Sequence, residues 1–300
     1  MLRSMYAGIS GMKNFQTKLD VIGNNIANVS TVGFKKGQVT FQEMMSQTAS
    51  GAQGSTGARG GVNASQIGLG AQLGTINNIH TQGFRQTTNN PLDLSIQGDG
   101  MFEVVLVETP NGEGNTFVPI NFDAAGGGNA AQVEDRFYTR AGNFYLDDRG
   151  FIVNSEGMYL VGFEYVDGNP VDSNAPGVLR IPLDAQSFNI STNGTVNYID
   201  ANGENQVAGQ IGLANFANPT GLTKEGNNLY RESQNSGGVE RVLPEESTSS
   251  QIISNSLEMS NVDLAEEFTE MISAQRGFQA NSRIITTSDE ILQELVNLKR

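Results

Sequence analysis

The stretch LDVIGNNIANVSTVGFKKG, residues 19–37, carries an apolar stripe into an asparagine-rich end and then a Gly-Phe-Lys-Lys turn. Reading outward from it, Leu2, Met5, Ile9, Met12, Leu19, Ile22, Ile26 and Val29 recur at steps of three, four and seven residues. That spacing predicts one face of a helix. Asn24, Asn25 and Asn28 are modest helix formers and crowd its far end. The helix is expected to stop before Gly33, where the missing Cβ suits a left-handed turn.

The other end of the chain repeats the pattern at greater length. Leu264, Phe268, Met271, Phe278, Ile285, Leu292 and Val296 follow heptad-like steps, with Gln275, Ser282 and Asp289 in the remaining seam positions. Ser260 or Asn261 is the expected cap, and Asp263, Glu266 and Glu267 suit the dipole of the opening turns. A helix over 262–298 would be roughly 55 Å long, and a narrow apolar seam of that length needs a partner helix.

Between the ends the texture changes. Residues 46–66, SQTASGAQGSTGARGGVNASQ, offer almost nothing to bury and read as an extended linker within 34–70. From residue 71 to 255, short aromatic and β-branched runs alternate with Asp-Arg-Gly, Glu-Gly and Asn-Gly punctuation. This predicts a β-rich domain, with Asn193-Gly194 and Asn202-Gly203 as type I′ turn candidates. Residues 111–132 read as a surface insertion, and 165–186 leave room for only a small outer subdomain. The expected class is α+β: residues 1–33 with 256–300 as a helical domain, a linker, and a β-rich core.

Composition narrows the function. The chain has 300 residues, no Cys, one His (His80) and a net charge of −14. Disulfide and thiol chemistry are excluded, and a metal site loses its best ligands. Residues 1–40 carry net +4 and residues 251–300 net −4, so the two ends could meet, in one chain or between neighbours. The acidic middle argues against nucleic acid, and no apolar run is long enough for membrane insertion. The N-terminus lacks the h-region of a cleaved signal peptide. No phosphate loop or nucleophile elbow is present, and Asp147-Asp148 reads as a hairpin turn. No catalytic, cofactor-binding or metal-ligating residues are expected, and the chain is not expected to be an enzyme.

The segments quoted above, with LDLSIQGDGMF, YTRAGNFYLDDRGFIVNSEGMYLVGF, GQIGLANFANPTGLTKEGNNLYRES and the tail from Ser254, closely resemble the bacterial flagellar axial proteins of the rod and hook group. They cover nearly the whole chain in the family's order. The resemblance implies a helical homopolymer around an export channel, with terminal helices paired as an inner coiled coil and the β domain outside. It implies export without signal cleavage by the flagellar type III apparatus, with Phe41 and Met45 as a possible export-gate motif. It also implies that Asn24, Asn25, Asn28, Gly33, Phe34, Lys35 and Lys36 meet neighbouring subunits. The C-terminal segment leans towards the extracellular hook, a flexible torque-transmitting joint. Distal rod, hook–filament junction proteins and a hook cap would then be partners, and no cofactor is implied. The long 46–66 stretch is reminiscent instead of the distal rod of the basal body, the alternative reading. A secreted β-rich adhesin would explain the polar middle but not the terminal seams.

Overall fold

A computed structural model describes residues 2–55, 59–107, 117–121, 131–166, 169–170, 176–245 and 250–298. The expected insertion at 111–132 lies mostly outside them, as do 167–168 and 171–175 of the expected outer subdomain. The chain is α+β, with a helix at each end and a β-rich middle. It divides into two units: residues 1–29, 36–79 and 262–300 form one, and residues 30–35 and 80–261 the other.

In the first unit, helices α1 (Leu2–Ala27) and α2 (Leu264–Asn297) pack antiparallel. Small residues set their closeness. A Cβ on Gly11 would stand 2.7 Å from the Asn281 amide, and one on Gly277 would stand 2.6 Å from the Phe15 ring. The cap of α2 is Asp263, whose carboxylate accepts the Ala265 N–H at 2.8 Å. Asn261, one of the two expected caps, spends its side chain on Thr81 instead. Among its described residues the same unit contains four strands, β1 (Gly37–Glu43), β2 (Ser46–Ser50), β3 (Ser65–Gly68) and β4 (Ala71–Asn78). They pair antiparallel as β1 with β4 and β2 with β3. The two ends of the stretch read from composition as a linker are therefore paired backbone, because backbone hydrogen bonds need no apolar side chains.

The second unit is built on a closed ring of five strands. Met101–Val107 pairs with Ala131–Thr139, which pairs in parallel with Phe117–Asn121. Pro176–Leu179 and Tyr159–Phe163 follow, and the last returns to Met101–Val107. Further strands extend from the ring on both sides. Leu94, Phe102, Phe144, Leu160, Val196 and Ile252 lie fully buried in its main core.

Four hairpin loops use one design. In Asp147–Phe151, Asn154–Met158, Ser191–Thr195 and Asp200–Glu204, the fourth residue is a glycine with φ between +80° and +86°. Its N–H bonds back to the carbonyl of the first residue. Asn193 and Asn202 do not take positive φ, so these are three-residue loops with a left-handed glycine, not the expected type I′ turns.

Candidate assembly surface

The segment that follows α1 binds its own chain. Asn25 is buried, and its amide donates to the Gly37 carbonyl at 2.9 Å and to Glu267 Oε2 at 3.1 Å. Its oxygen accepts the Gly37 N–H at 3.0 Å. One asparagine thus ties α1, the start of β1 and α2 together, because an amide both donates and accepts. Burial raises the Glu267 pKa, opposed by the Asn25 hydrogen bond and then by Lys36. Asn28 donates to the carbonyl and side-chain oxygens of Asn24. Lys36 reaches Glu266 at 2.9 Å. An Asn25→Ala variant, which leaves Gly37 and Glu267 short of partners, is expected to lose about 2–4 kcal/mol from the helical unit. Urea unfolding followed by helical circular dichroism checks this.

In the β-rich unit, Gly33 takes φ +69° against the Arg140–Ala141 backbone, where a Cβ would stand 2.6 Å from a nitrogen. The Gly33 N–H donates to the Glu258 carbonyl at 2.8 Å. Lys224 sits 5.1 Å from the centre of the Phe34 ring. Lys35 is fully buried. Its ammonium donates to Glu258 Oε1 at 2.6 Å and to the Thr81 carbonyl at 2.8 Å. Glu258 also accepts from Arg140 at 3.2 Å and from the Gly83 N–H at 2.9 Å. Burial pulls the Lys35 pKa below the usual lysine value, against the attraction of Glu258. Asn25, Gly33, Phe34 and Lys35 are thus buried within one chain and present little to a neighbour. Burial and hydrogen-bond demand, invisible in residue order, turn this signature inward.

His80 lies near this cluster. Burial, then the charges of Lys35, Arg140 and Lys224, push its pKa down to about 4. Neutral in the fold, it lends stability that is complete above about pH 6.5 and is lost as pH falls towards 4. After discounting for its partial exposure, the contribution is about 1–2 kcal/mol. His80→Gln should flatten the fall in urea midpoint over that range.

Exposed apolar side chains occur in both units, Phe84 and Leu183 of the β-rich unit among them, and several line the helices. The buried row of α2 is Glu267, Ala274 and Ser288, with Met271, Phe278, Ile285 and Leu292 half-buried beside it. Phe268, Leu264 and Val296, placed in the seam by hydrophobicity, are 49%, 40% and 67% exposed. The glycines make room for larger side chains of the facing helix: Gly8 and Gly11 lie against Ile285 and Asn281, and Gly277 lies against the Phe15 ring. On α1, Ile22 is buried and Met5, Met12, Leu19 and Ile26 are half-buried, whereas Ile9 and Tyr6 are exposed. The Leu2 side chain lies outside the described residues.

At 3.6 residues per turn, exposed apolar residues of α2 and its C-cap form two patches, with Val296 outside both. Leu264, Phe268 and Ile272 lie within about 80° of one another, and Ile284, Ile291, Leu295 and Leu298 within about 60°. The patches flank the buried row on opposite sides, one in each half of the helix. Phe41 and Met45 are also exposed, on and just after β1. Among the described residues no group of His, Asp and Glu could hold a metal ion. No described helix is long and apolar enough to cross a membrane.

Three family models match the chain. One described as flagella basal body rod protein covers residues 5–35, and a flagellar hook protein FlgE/F/G D1 domain covers 130–198. The C-terminal domain of flagellar basal body rod FlgEFG proteins covers 253–298. The chain is 52% identical to the flagellar basal-body rod protein FlgG of Bacillus subtilis over 301 positions, covering all of both. It is 35% identical to the protein of the same name from Caulobacter vibrioides, covering 99% of this chain and all of that one. It is 32% identical to the flagellar hook protein FlgE of Borreliella burgdorferi, covering all of both across 441 positions.

Proposed function

This chain belongs to the flagellar rod and hook family of axial proteins, and from that premise we propose that it is the structural subunit of the distal rod. The observation that carries the reading is its end-to-end 52% identity with a rod protein at matching length. Alignment with the hook relative instead spreads over 441 positions, so that protein carries long stretches this chain lacks. The hook expected from the C-terminal segment gives way to the alternative, because the terminal helices serve the whole family and do not separate its members.

The geometry supports the same reading. The two apolar patches lie on different flanks and in different halves of one helix. They suit head-to-tail contacts, which propagate into open helical polymers. Neighbouring copies then cover Phe268 and Ile272 on one side and Ile291 and Leu295 on the other, completing the coiled-coil inner layer. Pairing of 46–50 with 65–68 replaces the soft linker that a bending joint would use with ordered backbone. Export through the flagellar type III apparatus, with Phe41 and Met45 as the segment read at the gate, belongs to this reading. Purified chain polymerised in vitro should give straight tubes by electron microscopy. Tubes that curve or supercoil would return it to the hook.

A further inference from the structure

Three Asn-Gly pairs occur in the chain, at 111–112, 193–194 and 202–203. The first lies outside the described residues. The other two sit in hairpin loops of one design, and their glycines share the left-handed conformation, with φ of +80° at Gly194 and +84° at Gly203. In both loops the glycine N–H donates to the carbonyl of the loop's first residue, at 2.9 Å to Ser191 and at 2.8 Å to Asp200. The backbones are therefore matched, and a difference in chemistry between the two pairs comes from what surrounds them.

Those surroundings are unlike. Asn193 Oδ1 accepts the Thr195 N–H at 3.1 Å and the Thr195 hydroxyl at 2.8 Å. The Asn193 carbonyl accepts the Gln210 side-chain amide at 2.7 Å, and the Gly194 carbonyl accepts the Ile211 N–H at 2.8 Å. Gly194 is buried, and a Cβ there would stand 3.1–3.2 Å from Ile211, Pro244 and Ile252. The Asn202 amide, by contrast, donates within its own loop, to Asp200 Oδ2 at 2.9 Å. Residues 201–206 are exposed, and a Cβ on Gly203 would meet no described atom within 4 Å beyond its chain neighbours.

We propose that Asn202 is a covalent modification site, converting without an enzyme to aspartate and isoaspartate, while the fold holds Asn193 inert. The Gly203 nitrogen, unhindered because glycine has no Cβ, gives its proton to hydroxide and bonds to Asn202 Cγ. The bond from Cγ to the amide nitrogen breaks, and that nitrogen leaves as ammonia after taking a proton from water, which returns the hydroxide. The five-membered succinimide then takes up one water at either carbonyl and opens to aspartate or isoaspartate. No atom is oxidised or reduced. Attack requires the asparagine to turn about ψ and χ1. Asn202 does so in open solvent, whereas Asn193 must first release Thr195 and Gln210 and displace the neighbours of Gly194. The product places a third carboxylate between Asp200 and Glu204, at the tip joining Thr195–Ile199 to Asn205–Ile211.

The test uses the full chain, folded, kept at mildly alkaline pH and physiological temperature beside a second sample in urea. Proteolysis in acid followed by electron-transfer mass spectrometry reads asparagine, aspartate and isoaspartate at each position. In urea the two pairs should react at closely similar rates, since glycine follows both asparagines. In the folded chain, conversion at 202 should outpace conversion at 193 by about tenfold or more, because of the additional hydrogen bonds that Asn193 must give up. Equal rates at the two positions in the folded chain would overturn the proposal. So would an unreacted Asn202 in the fold beside a urea sample that has converted.

Discussion

Replacing Glu258 with alanine is expected to cost the β-rich unit about 3–5 kcal/mol, whereas Lys35→Met should cost less than about 2 kcal/mol. The asymmetry follows from the charge count at the site. Glu258 is 1% exposed and is the one carboxylate shared by Lys35, itself fully buried, and Arg140, 4% exposed. Removing it strands two cations away from water and also frees the Gly83 N–H. Removing Lys35 leaves an Arg140–Glu258 pair that is already neutral, and methionine fills most of the lysine's volume. Urea denaturation of the two variants, followed by tyrosine fluorescence, measures the difference. Equal losses would mean that packing, not charge compensation, dominates this cluster.

The second large effect concerns assembly alone. Ile291→Gln with Leu295→Gln on one flank of α2, or Phe268→Gln with Ile272→Gln on the other, should leave monomer stability nearly unchanged. These side chains are 48–52% exposed, and glutamine is a good helix former. If neighbours cover the exposed half of each side chain in the polymer, each substituted pair removes about 1.5–3 kcal/mol of burial, or about 10–100-fold in critical concentration. Sedimentation of polymer against protein concentration reads this directly. A critical concentration unchanged in both pairs would show that the two flanks stay in water and would remove the head-to-tail contact scheme.

Much of the fold is legible in the sequence. The 3.6-residue period of α1 and α2, the left-handed Gly33 and the glycine-punctuated strands all survive in three dimensions, because each depends on local sterics. The same local rules fail where tertiary contact decides. Hydrophobicity puts Phe268 and Val296 in the α2 seam, but the packed helix buries Glu267, Ala274 and Ser288 and leaves those two exposed. Gly- and Ser-rich 46–66 looks unstructured because strand pairing through the backbone leaves no side-chain signature.

The signature asparagines show the same limit. Residue type reveals that Asn25 can donate and accept, but not that Gly37 and Glu267 are its partners. Glu258 and Arg140 carry no cue in residue order for a similar reason. Alternation in Ser256–Glu258 would turn the apolar Leu257 inward, whereas the strand buries Ser256 and Glu258. A charge at an inward position is a cue for a compensated ion cluster.

The central claim, that this subunit builds the straight rod and not the curved hook, is tested most directly by immunogold electron microscopy of detached flagella with basal bodies attached. An antibody against residues 80–261 should decorate the straight segment between the cell body and the curve. Gold on the curved segment, with the straight one bare, would contradict the account.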